Sequence, residues 1–222
     1  SSYGGKDFEI NEEGQISCAL NKNPEAVAAH ELWGKIIREI AQPNYADYTW
    51  YDVGNAFAQG KAVMFYDADI IGYFLRGDSA FPEDWGLAPP PGKPGGKPTA
   101  NEWIWSIGMN AQSQKKDATW LWMVWTTTKE YVLDAATKGL TVDPIRQSTW
   151  DSKEWADLNA TFTGYVETFK EIQPYTQIYY TPQKAFFETT TEWSAALQRI
   201  HAGTPAQEAL DEACRLIDES LQ

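Results

Sequence analysis

A short apolar segment, residues 61–66, places the strongest constraint on how this chain can fold. It reads KAVMFY and follows a helix predicted over residues 52–59, which Gly60 closes in the left-handed conformation. An apolar run of this length is typical of a strand buried in the sheet of an α/β protein. Because capped helical patterns lie on both sides of it, the sequence predicts an α/β fold rich in helices.

Polar side chains follow the predicted strand at its C-terminal end. Tyr66 is its last residue, and Asp67 and Asp69 come directly after it. Open α/β sheets bind their ligands just outside the carboxyl ends of the strands. We therefore predict that Tyr66, Asp67 and Asp69 contact a ligand.

A second group of candidate ligand-binding residues lies at residues 101–105. Trp103 and Trp105 are two positions apart, so on a strand both indoles face the same side. Asn101 and Glu102 place an amide and a carboxylate beside them. Flat rings next to hydrogen-bonding groups suit a sugar or a sugar alcohol, which is apolar on its C–H faces and polar at its rim. Packing of both indoles in an ordinary core is the alternative.

Arg146 and Phe187 are further candidates for the same site. Arg146 lies in a loop after a predicted helix, where its fork of N–H donors could bind ligand oxygens. The alternative is a surface ion pair or a clamp on backbone carbonyls. Phe187 lies near the start of a long predicted helix, where its ring either stacks on a ligand or packs in the core.

Two predicted helices carry apolar stripes that should pack against other elements. The first begins with Asn23 as its N-cap and Pro24 as its first residue. Its stripe consists of Ala29, Trp33, Ile36, Ile37 and Ile40. The second begins near Ser113, and we interpret its stripe as a packing surface and not as a cofactor site. That stripe consists of Ala118, Leu121, Trp122 and Trp125.

The D-x-D spacing of Asp67 and Asp69 leaves two enzymatic alternatives open. In nucleotide-sugar glycosyltransferases such a pair holds a divalent metal, but this chain lacks the glycine-rich motifs that cradle phosphates. A pair of carboxyl groups could also serve as the acid and the nucleophile of a glycosidase. His30 and His201 lie on predicted helices away from any Ser or Cys motif. We therefore predict no such nucleophile, no metal and no cofactor, and we place His30 at the surface or at the boundary of the core.

The composition narrows the range of partners. A net charge of -13 repels nucleic acid and anionic membrane surfaces. With 11 Trp and 11 Tyr, the chain has more rings than a core of this size needs, so some should line a binding surface. Cys18 and Cys214 are predicted as two separate buried thiols, with a disulfide as the alternative in an exported protein.

Five stretches together resemble the extracellular solute-binding proteins of carbohydrate ABC importers. They are Phe57–Met64, Trp85–Gly92, Lys116–Tyr131, Pro144–Ser148 and Ala202–Leu210. The W-x-W pair and the Thr-Lys-Glu-Tyr corner at the end of the third stretch look most like the branch that binds sugar alcohols and related sugars.

The resemblance implies a periplasmic-binding-protein type II-like fold, in which two α/β lobes close on a ligand. It implies the substrate-binding component of an ABC transporter, which binds a small carbohydrate or polyol, delivers it to a membrane permease and catalyses no reaction. It also implies a periplasmic or extracellular location, in some members with a lipid anchor.

The resemblance further implies that this chain is the C-terminal half of such a protein and that the missing N-terminal half is its partner. Residues 1–100 would form the first part of the C-terminal lobe. Residues 101–147 would belong to the N-terminal lobe, and residues 148–222 would form the helical remainder of the C-terminal lobe.

Overall fold

The chain divides into two compact units, each built from separate stretches of sequence. The computed structural model describes residues 2–69, 85–138, 143–160, 163–180 and 184–222. Unit 1 contains Ser1–Ala46, Pro90–Trp103 and Ile172–Gln222. Unit 2 contains Asp47–Pro89 and Ile104–Glu171. The assignment of stretches to the lobes of a longer protein remains a prediction.

Very short strands and longer helices follow one another along the described chain. In order they are β1 (Phe8–Ile10), β2 (Ile16–Cys18), α1 (Pro24–Glu39), α2 (Trp50–Ala58), β3 (Ala100–Asn101), α3 (Lys116–Thr126), α4 (Lys129–Thr137), α5 (Gln147–Trp150), α6 (Lys153–Asn159), α7 (Tyr165–Ile172), β4 (Thr176–Gln177), α8 (Phe186–His201) and α9 (Ala206–Ser220). β1 pairs with β2 in antiparallel orientation, and β3 pairs with β4 in parallel orientation. None of the helices described has the length and apolar character needed to span a bilayer.

The prediction of a strand over residues 61–66 is wrong. The strand predicted over residues 101–105 is also wrong for most of its length, because β3 ends at Asn101. The backbone of residues 61–66 forms no strand, and after Asn101 the chain is irregular. A strand requires a neighbour whose N–H and C=O groups pair with its own. Among the described segments, the pairing of β3 with β4 extends one bond past Asn101: the N–H of Glu102 donates to the carbonyl oxygen of Gln177. Val63 and Met64 are consequently exposed.

Local capping rules predict correctly how two of the helices begin or end. Asn23 Oδ1 accepts a hydrogen bond from Ala26 N at 2.7 Å, as predicted for the N-cap of α1. Gly60 follows α2 with a φ of 71°, the left-handed conformation predicted for it. The start of α9 is not capped by a neighbouring residue in the same way. Its first N–H, that of Ala206, donates to Glu31 Oε1 of α1 at 2.6 Å. A side chain distant in sequence therefore caps α9.

The core of unit 1 forms where α8 and α9 pack on each other and on the first sheet. Its buried residues are Phe8, Cys18, Leu20, Ala196, Ile200, Ala206, Ala209, Leu210, Ala213, Cys214 and Ile217. Cys18 and Cys214 form a disulfide bond in this core, so the prediction of two separate thiols is wrong. Packing of α9 beside β2 brings the two cysteines together across 196 residues of sequence. Asp218 Oδ1 also accepts from Cys18 N at 2.6 Å.

The first helix turns only part of its predicted stripe to the core, because Trp33 packs against the core of unit 1 while other members of the stripe do not. His30 and Gly34 of α1 are buried, whereas Ile36 and Ile40 of the predicted stripe are exposed. The close approach of α8 explains the difference. A Cβ atom on Gly34 would lie 2.6 Å from Cγ2 of Ile200, so only a glycine lets α8 pack this closely.

His30 is buried between α1 and α8, deeper than the surface or boundary position predicted for it. Its Nδ1 lies 2.7 Å from the carbonyl oxygen of Ala26, and its Nε2 accepts from Trp193 Nε1 at 2.9 Å. These two bonds require a neutral ring with its proton on Nδ1. Burial lowers the pKa of His30, because desolvation disfavours the charged ring.

The His30→Phe substitution is expected to lower the free energy of unfolding by about 1–3 kcal/mol at about pH 7.5, because Trp193 N–H loses its acceptor. The folded state favours the neutral ring of His30. The stability that His30 contributes to the folded state is therefore fully present at pH values above its ordinary pKa of 6.5. It is lost as the pH falls below that value. Urea unfolding of both proteins at about pH 7.5 and about pH 5 measures the difference, which should shrink at the lower pH. An equal difference at both values would contradict this assignment.

The core of unit 2 is built around Trp155 of α6. Ala136 of α4 and Tyr165 of α7 are buried with it. The chain around Leu87 lies against the start of α7, where Gly164 has a φ of 78°. A Cβ atom on Gly164 would lie 2.5 Å from the carbonyl oxygen of Leu87, so glycine is required there.

Candidate functional site

The aromatic rings predicted to bind a ligand are exposed. Trp103 exposes 67% of its surface and Trp105 exposes 89%. Tyr66 and Phe187 are exposed as well. Packing of both indoles in a core is therefore not observed in the described part of the chain. Each ring offers a face on which a ligand or another polypeptide could stack.

Three polar side chains meet in unit 2 at the predicted acidic site. Tyr165 donates its hydroxyl hydrogen to Oδ1 of Asp143 at 2.5 Å, and the Asp143 carboxyl is hydrogen-bonded to the side chain of Asp69. The sequence predicts Asp69 but misses Asp143 and Tyr165, although Asp143 lies only three positions before Arg146. Asp143 has a φ of 54°, a conformation that residues other than glycine rarely adopt.

The pKa of Asp143 rises to about 7. Desolvation of its carboxyl group is the main cause, and the negative charge of Asp69 adds to it. The hydrogen bond from Tyr165 acts in the opposite direction. Although residue 143 as a whole is exposed, its carboxyl group lies against these two partners. Below neutral pH the Asp143 carboxyl group is therefore protonated and can donate a hydrogen bond to the side chain of Asp69.

The Asp143→Asn substitution is expected to stabilise the protein by roughly 1 kcal/mol at about pH 8, a modest value because solvent screens a partly exposed group. The raised pKa means that the folded state binds more protons than the unfolded state. The stability contributed by Asp143 is therefore full below the ordinary pKa of 3.8 and is lost as the pH rises through about 7. An amide can donate to Asp69 at every pH. Thermal unfolding at about pH 5 and about pH 8 tests this, with the exposed Asp47→Asn as the control. A destabilised variant at the higher pH would contradict the raised pKa of Asp143.

Asp67 has different surroundings from Asp69. It is exposed, and its Oδ1 accepts from Ala68 N at 2.7 Å. Within the ranges that the structure describes, no cluster of three His, Cys, Asp or Glu side chains could hold a metal ion. Among those residues, the D-x-D pair therefore has no third His, Cys, Asp or Glu side chain placed to share a metal ion with it.

Arg146 acts as a clamp on the backbone. Its Nε donates to the carbonyl oxygen of Thr127 at 2.6 Å, which ties the start of α5 to the turn between α3 and α4. This is the structural alternative that the sequence leaves open. The terminal amino groups of Arg146 make no hydrogen bond to any residue described, so the same side chain keeps donors for a ligand.

A groove of about 390 Å³ lies beside Trp105 in unit 2. Its lining consists of Trp105, Ser106, Ile107, Trp120, Met123, Val124, Thr127 and Ile145. The lining is mostly apolar, so the groove offers few polar groups to a ligand rich in hydroxyls. The hydroxyl of Thr127 already donates to the carbonyl oxygens of Met123 and Val124.

Asn101 and Glu102 lie at the end of β3. Asn101 Oδ1 accepts from Tyr179 N at 3.0 Å, so its amide nitrogen is the group that could donate to a ligand. Glu102 is exposed. These two residues belong to unit 1 together with Trp103 and Phe187. The remaining predicted residues, all in unit 2, are Tyr66, Asp67, Asp69, Trp105 and Arg146.

Solved structures share the fold of this chain. An ABC transporter solute-binding protein from Agrobacterium radiobacter K84, in complex with ribitol, aligns with a TM-score of 0.79 over 98% of this chain at 22% identity. Another, from Thermotoga lettingae TMO with bound alpha-D-tagatose, aligns with a TM-score of 0.82 over 100% of this chain at 16% identity. The architecture is therefore that of a periplasmic solute-binding protein, and the predicted type II-like α/β fold is confirmed.

Sequence comparison identifies the family. The profile of the bacterial extracellular solute-binding proteins matches residues 1–133. The erythritol/L-threitol-binding protein of Mycolicibacterium smegmatis is 39% identical over 188 residues, or 84% of this chain. The chain belongs to the bacterial extracellular solute-binding protein family, as its resemblance predicts. It spans 39% of the length of the Mycolicibacterium smegmatis protein and 54% of each of the two solved structures.

Proposed function

We propose that this chain forms part of the substrate-binding component of an ABC transporter and that it binds a sugar or a sugar alcohol. The similarity to the erythritol/L-threitol-binding protein over most of the chain carries this proposal. Short sugar alcohols are neutral and rich in hydroxyl groups, which matches the exposed rings, carboxylates and guanidinium described above. The function includes no catalysis.

Aromatic stacking supplies the apolar part of the binding mode. Tyr66, Trp103, Trp105 and Phe187 would offer ring faces to the C–H surfaces of the ligand. Indoles suit this role because they add large contact area while losing little conformational freedom on binding.

Hydrogen bonds supply the specificity. Asp67, Asp69 and Glu102 would accept from ligand hydroxyls, while Asn101 and the terminal amino groups of Arg146 would donate. Each charge-assisted bond would contribute roughly 1.5–3 kcal/mol once water is excluded. An analogue that lacks one hydroxyl would leave a carboxylate without its partner, which is how the site would discriminate.

The partners follow from the same proposal. The ligand-bound protein would deliver its solute to a membrane permease from the periplasm or the extracellular space, with or without a lipid anchor. The Cys18–Cys214 disulfide supports such a location, because disulfides persist in oxidising compartments. The part of the two-lobe fold that this chain does not span would complete the binding site.

Calorimetric titration with erythritol, L-threitol and ribitol tests the ligand class. We use the chain alone and a fusion, defined here as this chain joined to the portion of the Mycolicibacterium smegmatis protein outside the matched region. The fusion is expected to bind at least one polyol, and the chain alone is expected to bind weakly or not at all. In the fusion, Glu102→Gln should weaken binding by roughly tenfold to 150-fold, which corresponds to one charge-assisted bond.

The matched control for Glu102→Gln is Glu13→Gln, which neutralises an exposed carboxylate in a turn of unit 1. Equal affinities of the two variants would contradict the role of Glu102. Absence of binding to every polyol and sugar would contradict the proposed function. Release of reducing sugar from an oligosaccharide would instead support a glycosidase, because a transport protein leaves its ligand unchanged.

A further inference from the structure

The side chains of Asp143 and Asp69 form a hydrogen bond between two acidic groups in unit 2. Two ionised carboxylates both accept and neither donates, so this bond requires a proton on one of them. Tyr165 donates to Oδ1 of Asp143 at 2.5 Å, and the tyrosine ring is buried in the core of unit 2. The core therefore fixes Asp143, and Asp143 in turn contacts a residue of the candidate site.

The surroundings of Asp143 keep the proton on its own carboxyl group. Desolvation raises the pKa of Asp143 to about 7, and the negative charge of Asp69 acts in the same direction. Tyr165, at the start of α7, is the other group that acts on it electrostatically. Arg146, on the same loop as Asp143, directs its Nε to the turn between α3 and α4. Asp67 is exposed and bonds to the adjacent backbone N–H.

The backbone of Asp143 adds a second observation. Its φ of 54° is a conformation that glycine adopts freely and other residues adopt at a cost. Such residues persist where surrounding contacts fix them, and they cluster at ligand sites. The contacts that fix Asp143 are those of its carboxyl group with Tyr165 and Asp69.

We infer that Asp143 is a positioning residue for the candidate site, whose protonated carboxyl group holds the side chain of Asp69 in place as the acceptor for a ligand hydroxyl. The inference rests on the proposed function in one respect, namely that Asp69 contacts the ligand. An ionised carboxylate has about four lone-pair directions, so a bond from Asp143 leaves others for hydroxyl groups. Asp69 is half-buried, so it can accept from a ligand with less competition from water than the exposed Asp67.

Loss of the proton changes this arrangement. With both groups ionised, the bond is replaced by repulsion between two negative charges, and Asp69 moves away from Asp143. The site should therefore bind a neutral polyol most tightly while Asp143 is protonated.

Calorimetric titration of the fusion defined above with erythritol, L-threitol and ribitol, at about pH 6 and about pH 8, tests the inference. These polyols are uncharged at both values, so any pH dependence arises from the protein. A group with a pKa of about 7 is protonated in about 90% of the molecules at the lower pH and in about 9% at the higher one. The affinity should therefore fall by roughly tenfold between the two.

Variants of Asp143 separate positioning from a merely structural role. In Asp143→Asn, the amide can donate to Asp69 and its oxygen can accept from Tyr165 at every pH, so the affinity should change by less than about twofold between the two values. Asp143→Ala should weaken binding by roughly tenfold at the lower pH, because Asp69 loses its donor. Other groups that titrate in this range are present in all of these proteins, so their effects cancel in the comparison. The control Asp47→Asn, an exposed position of the same unit, should behave as the wild type does.

The Tyr165→Phe variant shifts the pH profile without removing either carboxyl group. It keeps the buried ring and removes the hydrogen bond that opposes the rise in the pKa of Asp143. Asp143 should then keep its proton to a higher pH, so the loss of affinity at about pH 8 should be smaller than in the wild type.

A measurement without a polyol separates this inference from the proposed function. In the chain alone, labelled with ¹³C at the aspartate carboxyl carbons, the resonances of Asp69 and Asp143 are followed from about pH 4 to about pH 9. Asp143 should titrate near pH 7, and the resonance of Asp69 should shift with it. In Asp143→Asn, the shift of Asp69 near pH 7 should be absent.

Three results would overturn the inference. They are equal affinities of the wild-type fusion at the two pH values, a pH dependence that Asp143→Asn retains, and a proton that titrates from Asp69 near pH 7 while Asp143 stays ionised. A fusion that binds no polyol at either pH contradicts the proposed function and the ligand contact of Asp69. The resonance titration still decides in that case whether Asp143 holds Asp69.

Discussion

Replacement of Cys18 and Cys214 by alanine is expected to lower the free energy of unfolding of unit 1 by about 2–5 kcal/mol. The disulfide joins β2 to α9, and both sulfur atoms lie in the core among residues of α8 and α9. Without the bond, the unfolded chain gains the freedom of a loop whose ends are 196 residues apart. Urea unfolding under non-reducing conditions, followed by circular dichroism, measures the difference.

The reduced wild-type protein provides the control for the disulfide. A reductant should lower the unfolding midpoint of the wild type and leave that of the double alanine variant unchanged. Equal midpoints for the oxidised wild type and the variant would show that unit 1 does not depend on the bond.

The Trp155→Ala substitution is expected to destabilise unit 2 by about 3–5 kcal/mol, because it leaves a cavity the size of an indole in a small core. Trp155 exposes 1% of its surface, and its ring packs edge-on against Trp150 with centroids 5.6 Å apart. The Trp105→Ala substitution is the matched control. It removes the same ring from an exposed position in the same unit, so it should change stability by about 0.5 kcal/mol or less. Similar losses from both variants would mean that Trp155 does not anchor the core.

Capping and helix boundaries are the parts of this fold that the sequence predicts best. The bond from Asn23 to Ala26 spans three residues, so the residue types alone specify it. The helix predicted over residues 52–59 forms over Trp50–Ala58, and its Gly60 cap is predicted for the same reason. The strands at residues 61–66 and after Asn101 could not be predicted in the same way, because a strand depends on a partner whose presence the segment does not encode.

The candidate site likewise combines features that local sequence predicts with contacts that depend on distant segments. The exposed rings and carboxylates could be selected from residue type and spacing, and the resemblance to solute-binding proteins is confirmed by the family match. Asp143 and Tyr165 could not be selected, because neither belongs to a motif and their contact with Asp69 joins three separate segments. The roles of Trp103, Trp105 and Arg146 in ligand binding remain predictions.

The sequence by itself determined the family, the positions of several helices and the supply of rings, carboxylates and amides for a binding site. Those properties depend on residue type and on spacings of a few positions, over which side chain and backbone interact directly. Only the tertiary structure decided that Cys18 meets Cys214, that α1 buries His30 and that α3 turns its tryptophans outward. These outcomes depend on which distant segments pack together, and no local sequence pattern specifies that packing.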